Sequence, residues 1–533
     1  MKKKTKNIFV ITAAIILVVI VIIGSTYAYW QITANQTNAN TINTACFKTV
    51  FTEQNDGVSL NNTYPKTDGA GMKQVPYKFT LTNECDSIAQ YQINLEVLNT
   101  SNLNSQYIKA VLNKKNLKKL TEYESVTKTL DNATESYKLF TGYLDQYESK
   151  SFELLVWMDE DTPLNNDTMS KSWNSKITII SSITDEIVKT FGEVVLSDNG
   201  GESAIAAKNN PDFTKAHVTE EIYNQIPDDT SNIVIDGKSY SGPKSLYTYN
   251  EDGMYAANDE YGASYYFRGN LIGNNVLFGG FQWKIVRING NGSIRLIYNG
   301  TEAQFDNDGT VNENNANSLI GKSSFLFTYS TTKSSLNYRH STVKTKVDQW
   351  YTANIANQEE KITSKIVDNI MCNDKTMASA PGLWNAQDSA TTARATTYYG
   401  TYNRLFNEKT PSLKCSDVND QFTLTTSKYG NKLLTNPISI LSADEAIMAG
   451  SSLSATSNNY LNNNQSYWTS SPMNYHFLCS GCQDYAYIYR VTSSKISEGS
   501  SFYEEGNRPV INISENTFLI SGDGSATNPY RVE

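Results

Sequence analysis

Apolar and polar side chains alternate with a period of two residues along four segments, 77–81, 91–97, 152–157 and 177–180. Clusters of Asn, Asp and Gly separate these segments. This pattern is typical of antiparallel strands with one buried face and one wet face. We therefore predict a β-sandwich domain over residues 35–190. Its lysine-rich part, from 108 to 129, lacks the alternation, so we expect a helix or loop there.

The second half of the chain mixes strand and helix signals. Two apolar runs around an Asn-Gly turn predict a hairpin over 276–298. Ser341 precedes apolar residues that recur every three or four positions, which predicts a capped amphipathic helix. Ser442 and Glu445 have capping-box spacing and predict a second helix. Strand patterns then return, so we predict an α+β domain over 245–533.

Gly, Ser, Asn, Asp and Pro dominate the stretch between these halves. Such a composition favours flexible, solvated backbone. We therefore predict a linker over 191–244, with one short helical turn near 218–225. The overall fold class is mainly β with an α+β C-terminal domain.

Residues 1–30 contain the only long apolar run, 8–24, which follows four lysines. As a helix it would span about 25 Å, near the lower limit for crossing a hydrocarbon core. Thr26 and Ala28 also fit the −3 and −1 positions of a signal-peptide cleavage site. Two alternatives stay open: a single-pass membrane anchor with an extracellular C-terminal bulk, or a cleaved signal with a secreted product. Both place the remainder outside the cell.

Six cysteines form three pairs that are local in sequence. An oxidising exterior would let such pairs form disulfides, although six cysteines allow 15 pairings. Zinc binding requires four suitably spaced ligands, and the chain has a single CxxC, so no metal and no cofactor is assigned. The preferred pairs are Cys46 with Cys85, Cys372 with Cys415, and Cys479 with Cys482.

The charge balance narrows the classes of function. The chain of 533 residues has 45 Lys and Arg against 54 Asp and Glu, a net charge of −9. A nucleic-acid binder would need a concentrated basic surface, so nucleic acid is excluded as a partner. An aromatic content of 11% also argues against disorder over the whole length.

Signals for catalysis and metal binding are weak. The three histidines, His217, His340 and His476, lie far apart, and neither GxSxG nor HExxH occurs. The acidic loops 306–309 and 523–528 depart from the EF-hand pattern, so we interpret both as polar turns. No catalytic residue is assigned.

Aromatic residues near the C-terminus suggest a binding surface. Their rings could stack on a glycan or on an apolar part of a peptide. The alternative is that alternate rings fill the core of a sheet. The candidates are Trp468, Tyr475, Tyr485, Tyr487 and Tyr489.

The motifs FGGFQWKIVRINGNGSIRLIY, VDQWY, ISILSADEAIMAG, YWTSSP and GNRPVINI resemble exported Gram-positive surface proteins and their C-type-lectin-like domains. The first 190 residues more weakly resemble camelysin-like biofilm fibre subunits, through the leader ending TYAYW and the strand FTLTN. The resemblance implies extracellular adhesive or matrix roles. It does not extend to calcium-dependent sugar binding, because the Glu-Pro-Asn tripeptide of many sugar-binding lectins is absent.

We therefore predict a non-catalytic surface protein that binds a glycan or an extracellular protein and contacts the membrane through its N-terminal helix. The alternative is an exported enzyme, either a hydrolase or a cysteine-pair oxidase related to the formylglycine-generating enzyme. The CxxC motif of this chain, Cys479 and Cys482, precedes a predicted strand rather than opening a helix. Its spacing also differs from that of the reactive cysteine pair of the formylglycine-generating enzyme. A disulfide that staples a loop is the simpler interpretation.

Overall fold

A computed structural model describes the chain in segments that together form two compact units. Unit 1 is Met1–Lys189 and unit 2 is Thr190–Glu533, and both are mainly β. The described residues are 32–33, 47–51, 58–61, 63–184, 189–271, 273–301, 318–325, 341–379, 395–415, 417–477 and 485–532.

Unit 1 contains two sheets that share one core. The first has the strand order β1-β11-β5-β9-β8, with β3 also on β11, and the second has the order β2-β4-β10-β6-β7. Tyr91 of the first sheet meets Phe152 of the second edge-on, with ring centroids 5.8 Å apart. The prediction of β structure over 35–190 is confirmed. The strands are β1 Ile32–Thr33, β2 Phe47–Phe51, β3 Val58–Asn61, β4 Tyr77–Asn83, β5 Ile88–Leu98, β6 Ile108–Leu112, β7 Lys115–Lys119, β8 Glu124–Ser125, β9 Ala133–Leu144, β10 Ser149–Met158 and β11 Ser172–Thr184.

The prediction of a helix or loop over 108–129 is wrong for most of that stretch. It forms the antiparallel pair β6–β7, the 3-10 turn Leu120–Glu122 and the short strand β8. Ile108, Ala110 and Leu112 alternate into the core, but the lysines between and after them conceal the pattern. Lysine on the edge strand β7 fits a general strategy, since charged edges discourage pairing with other chains.

Unit 2 is built around two further sheets. The larger has the order β27-β32-β20-β19-β18-β34-β33, with β17 on β19 and β16 on β17. The smaller has the order β21-β31-β28-β29-β30, with β23 on β28. The strands are β12 Ala216–His217, β13 Asn232–Ile235, β14 Lys238–Ser241, β15 Tyr247–Thr248, β16 Gly253–Asn258, β17 Ala263–Arg268, β18 Asn275–Phe278, β19 Phe281–Ile288, β20 Ile294–Gly300, β21 Lys322–Ser323, β22 Met371–Cys372, β23 Ala395–Tyr398, β24 Gln421–Phe422, β25 Thr426–Ser427, β26 Gly430–Asn431, β27 Ile438–Ile440, β28 Tyr467–Phe477, β29 Tyr485–Val491, β30 Ile496–Ser500, β31 Glu505–Gly506, β32 Pro509–Ile513, β33 Leu519–Ser521 and β34 Tyr530–Val532.

Short helices flank these sheets, and a single longer one is described. Unit 1 has the helix Asp68–Gly71 and the 3-10 turns Ser105–Tyr107 and Leu120–Glu122. The helices of unit 2 are Phe191–Asp198, Glu202–Ala206, Glu220–Gln225, Thr342–Asn354, Glu360–Thr363, Gly400–Tyr402 and Ala443–Met448, with 3-10 turns Lys244–Leu246 and Val418–Asp420 and a π-helical segment, Asn403–Glu408.

Both caps anticipated in the second half are present. The hydroxyl of Ser341 accepts a hydrogen bond from the Lys344 N–H at 3.0 Å and begins the helix Thr342–Asn354. Ser442 and Glu445 form a complete capping box at the start of Ala443–Met448. The hairpin around the Asn-Gly turn is confirmed as the antiparallel pair β19 and β20, whereas the first run, 276–288, is divided into β18 and β19 by a turn at Gly279 and Gly280.

The stretch 191–244, predicted as a linker, belongs instead to unit 2. Phe191, Val195 and Ile205 lie in its core without solvent exposure. The ring of Phe191 also meets Tyr530 edge-on at 5.2 Å. Because these apolar residues are widely spaced among Gly, Asn and Ser, composition alone conceals them. The expected helical turn near 218–225 is present as the helix Glu220–Gln225.

Several predictions concern residues that the structure does not describe. These residues are the leader 1–30, the loop 306–309, and Cys46, Cys479 and Cys482. Along the parts of the chain that are described, no helix is long and apolar enough to cross a membrane. Cys85 is disulfide-bonded, whereas its expected partner, Cys46, is not described.

The disulfide between Cys372 and Cys415 is confirmed. Its sulfur atoms are 1.99 Å apart and its Cα atoms 5.6 Å apart. The bond closes a loop with a sequence separation of 43 residues.

Candidate functional site

A small cleft in unit 2, here called the charged cleft, has a cavity volume of about 20 Å³ and opens to solvent. Eight of its lining side chains are charged. The lining residues are Glu260, Arg287, Arg295, Ile370, Cys372, Asp374, Arg404, Ser412, Leu413, Lys414, Ser442, Asp444 and Glu445.

The hairpin β19–β20 supplies two arginines to the cleft. Arg287 and Arg295 are direct partners in the antiparallel register. Two like charges placed opposite each other on neighbouring strands repel, so this pair requires an acid nearby. That acid comes from the first turn of the helix Ala443–Met448.

Glu445 neutralises both arginines. Its Oε1 lies 2.5 Å from Arg295 Nη1 and 3.2 Å from Arg287 Nε, and all three side chains are buried. Its Oε2 accepts the N–H of Ser442 at 3.0 Å and so completes the capping box. Burial alone would raise the pKa of Glu445, but Arg295 and Arg287 outweigh burial and hold the pKa at about 2. This carboxylate is therefore ionised at any physiological pH.

Arg404, a further residue of the cleft lining, is paired with the carboxylates of Asp444 and Asp374. Its Nε and Nη2 donate to the two oxygens of Asp444, each at 2.7 Å, and Nη2 also contacts Asp374. Asp374 in turn accepts the hydroxyl of Thr401 at 2.8 Å. Burial works against the charge of Arg404, but Asp444 and Asp374 outweigh it and raise its pKa. The bidentate geometry fixes both the position and the plane of the guanidinium.

Two charged side chains of the cleft have no ion pair with any residue that the structure describes. Glu260 accepts the backbone N–H of Cys415, and burial raises the pKa of Glu260. Lys414, the residue before Cys415, is exposed. Because Cys415 is bonded to Cys372, the disulfide holds this side of the cleft in place.

The hydroxyls and thiols that line the cleft are already engaged. Ser412 Oγ accepts from the Lys414 N–H at 3.0 Å. Ser442 Oγ accepts from the Glu445 N–H at 3.2 Å and also contacts the Glu445 carboxylate. Cys372, the cysteine of the lining, is oxidised in the disulfide with Cys415. The hydroxyls of Ser412 and Ser442 are therefore held by hydrogen bonds within the lining itself.

Asp420 lies close to this network, at the end of the 3-10 turn that leads into β24, the strand paired with β22. Its Oδ2 accepts the hydroxyl of Thr376 at 3.2 Å, whereas its Oδ1 is buried with no hydrogen-bond partner among the described residues. Burial raises the pKa of Asp420 to about 6. The charged form is therefore costly in the folded protein.

We expect Asp420→Asn to stabilise unit 2 at pH 7. Since the folded pKa lies above the unfolded one, the wild type loses stability as pH rises from about 4 to about 6, by on the order of 2 kcal/mol. The asparagine stays neutral, so its advantage should grow over this interval. Chemical denaturation at pH 4 and pH 7 measures it, with Asp236→Asn, at an exposed aspartate elsewhere in unit 2, as a control for the lost charge. An equal effect of Asp420→Asn at both pH values would contradict the assignment.

The aromatic residues proposed for ligand binding are largely in the core. Trp468, Tyr475 and Tyr489 are buried, and the Nε1 of Trp468 donates to the Ser323 carbonyl at 2.9 Å. Tyr487 is partly buried, and the side chain of Tyr485 lies outside the description. The surface interpretation is therefore wrong for the three buried rings. Both faces of β28 and β29 are covered, so alternation along these strands does not separate core from surface.

His217, the one histidine whose side chain is described, does not line the charged cleft, and neither does Asp523. His217 is buried, with Nδ1 2.7 Å from the Asn458 carbonyl and Nε2 2.9 Å from Asp252. His340 and the side chain of His476 lie outside the description. Asp523 accepts the N–H of Ser525 at 2.9 Å, as expected for a polar turn. Within the described segments, no three His, Cys, Asp or Glu side chains are placed to hold a metal ion.

Most of the cleft was missed by sequence reasoning. Glu445 was recognised only as a cap, although two arginines placed symmetrically about the Asn-Gly turn were a signal that a buried acid is needed. Arg404 and Asp374 carry no local signal, because their partners are distant in sequence.

Comparison with known protein families, curated proteins and solved structures finds no match to this chain.

Proposed function

We propose that the chain is a non-catalytic binding protein of a Gram-positive cell surface, either membrane-anchored or secreted, and that unit 2 binds its ligand in the charged cleft. The apolar leader and the disulfide between Cys372 and Cys415 support an extracellular location. The chemistry of the cleft supports binding of an extracellular protein or peptide.

The observation that carries this proposal is the division of charges within the cleft. Six charged side chains are neutralised by one another, and the protein fixes their positions. Glu260 and Lys414 are left to face a ligand. An amine can bind the Glu260 carboxylate and a carboxylate can bind the Lys414 ammonium. A peptide segment that presents both groups therefore complements the cleft.

We expect Glu260→Gln and Lys414→Gln each to weaken binding of such a ligand about tenfold, roughly 1.4 kcal/mol. The full chain is screened against an array of extracellular matrix proteins and peptides, and any hit is titrated. Glu498→Gln and Lys495→Gln, two exposed charges outside the cleft lining, are the matched controls. Binding that is unchanged in both cleft variants, or silence across the array, would refute the proposal.

Binding should also weaken on acidification. An amine contacts Glu260 best when the carboxylate is ionised, and burial raises the pKa of that group. The loss of binding should therefore begin at a higher pH than for an ordinary glutamate, and Glu260→Gln should abolish this pH dependence.

The proposed extracellular location is tested by adding protease to intact cells, since an extracellular protein should be degraded there.

A further inference from the structure

Three aromatic rings form a continuous stack on the surface of unit 2. Tyr398 and Tyr402 have ring centroids 4.1 Å apart with 30° between the planes. Tyr402 and Phe406 are 5.0 Å apart with 15° between the planes. We call these three residues the aromatic stack.

The backbone explains why residues four apart lie over one another. Phe406 belongs to the π-helical segment Asn403–Glu408, which follows the turn Gly400–Tyr402 directly. A π-helix has more than four residues per turn, so rings at Tyr402 and Phe406 come nearly into line. Such segments are rare and occur frequently at functional sites.

The segment is held firmly on its inner side. Arg404 is clasped by Asp444 and Asp374, and Leu405 is buried in the core of unit 2. The next residue, Phe406, is nevertheless 53% exposed. Its exposure therefore does not come from a frayed end, since the two preceding side chains are fixed. A large apolar ring is presented to solvent on a rigid support.

Polar side chains on either side of Phe406 in the sequence form a hydrogen-bonded chain. Asn403 Nδ2 donates to Glu408 Oε1 at 2.8 Å, and Asn407 Nδ2 donates to Asn403 Oδ1 at 3.0 Å. This chain orients two amides and one carboxylate, which keep further donors and acceptors for a ligand. Glu408 and Lys409 carry opposite charges, so the neighbourhood offers no net charge to an ionic ligand.

We propose that the aromatic stack binds a neutral glycan, with Phe406 against the apolar face of a sugar ring and the flanking amides on its hydroxyls. Flat rings pack well on the C–H face of a pyranose, and oriented amides match hydroxyl groups that both donate and accept. A proline-rich peptide could also stack on aromatic rings, but its backbone carbonyls only accept hydrogen bonds, whereas sugar hydroxyls also donate to the amide and carboxylate oxygens. This site is additional to the peptide-binding function proposed for the charged cleft and does not depend on it.

The full chain is titrated calorimetrically with cellohexaose, xylohexaose and the hexamer of N-acetylglucosamine, and separately with a proline decapeptide. We expect at least one oligosaccharide to bind. Phe406→Ala should weaken that binding at least tenfold, whereas Phe406→Tyr should stay within about threefold of the wild type. Tyr503→Ala is the matched control, because Tyr503 is a 64% exposed aromatic residue elsewhere in unit 2. Equal melting temperatures of these variants would show that folding is unaffected.

Three outcomes would overturn this proposal: silence with all three oligosaccharides, glycan binding that Phe406→Ala leaves intact, and Phe406-dependent binding of the proline decapeptide alone. Glu260→Gln is titrated in parallel and should leave glycan binding unchanged. Glycan binding that is lost in Glu260→Gln but retained in Phe406→Ala would reject the stack and favour the cleft. Failure of the peptide array would leave the glycan result standing, so the two proposals can fail separately.

Discussion

Replacing Glu445 by Gln should destabilise unit 2 by about 3–5 kcal/mol, because one carboxylate neutralises two buried arginines. The amide cannot cancel the charges of Arg287 and Arg295, which then repel each other across the hairpin. The free energy of unfolding of a typical native protein is only about 5–15 kcal/mol. Equilibrium chemical denaturation should therefore readily detect the loss.

A second capping box in unit 2 shows how much of the effect of Glu445→Gln comes from the helix cap and how much from the buried arginines. Thr190 and Glu193 form the same capping box at the helix Phe191–Asp198, but Glu193 is exposed. Glu193→Gln should therefore cost no more than about 1 kcal/mol. Similar losses for Glu445→Gln and Glu193→Gln would show that the cap, and not the buried charge network, is what Glu445 supplies.

The pH dependence of the wild type provides an independent check on Glu445. Its folded pKa, about 2, lies below the unfolded value, so its stabilising contribution is complete above about pH 5. That contribution is lost as pH falls from about 5 towards 2. The Gln variant should lack this acid-induced loss.

Replacing Trp468 by Ala should cost about 3–5 kcal/mol of folding free energy, because the indole is fully buried. Its ring meets Phe325 edge-on at 5.6 Å, and its Nε1 donates to the Ser323 carbonyl. Gly499 lies against the other side of the indole, so close that an added Cβ would come within 2.9 Å. Truncation would leave a cavity and an unpaired carbonyl at once.

Tyr503→Ala is the comparison, since an exposed ring should cost much less. Thermal and chemical unfolding of both variants would measure the difference. If Trp468→Ala kept wild-type stability and instead lost ligand binding, Trp468 would be a contact residue and its place in the core would be wrong. The same experiment therefore tests the structure and the earlier surface interpretation of these aromatic residues.

The charged cleft and the aromatic stack share one supporting element. Arg404 lies in the π-helical segment that carries Phe406, and the carboxylates of Asp374 and Asp444 hold it. The same ion pairs thus shape one side of the cleft and fix the support of the outer ring. A variant at Arg404 would disturb both, which is why the tests above use Glu260, Lys414 and Phe406.

Local features of the fold follow from the sequence alone. Period-two alternation predicts the strands β4, β5, β10 and β11 of unit 1. Helical periodicity predicts the cap at Ser341, and the spacing of Ser442 and Glu445 predicts the capping box. The Asn-Gly turn predicts a hairpin, and Cys372 with Cys415 is the pair that sequence proximity favours. Each of these signals lies within a few residues or rests on the simple chemistry of two thiols, so it can be read without knowing which elements pack together.

The candidate functional site depends on tertiary structure. Arg404 meets Asp444 40 residues later in the chain and Asp374 30 residues earlier. Trp468 and Tyr489 are buried because both faces of their sheet are covered, and the spaced apolar residues after Thr190 join a core made elsewhere. Periodicity tells which side chains share a face of one element, but it does not encode what covers that face. Only the packing of distant elements places charges, rings and cysteines together, and therefore only the folded chain shows the cleft.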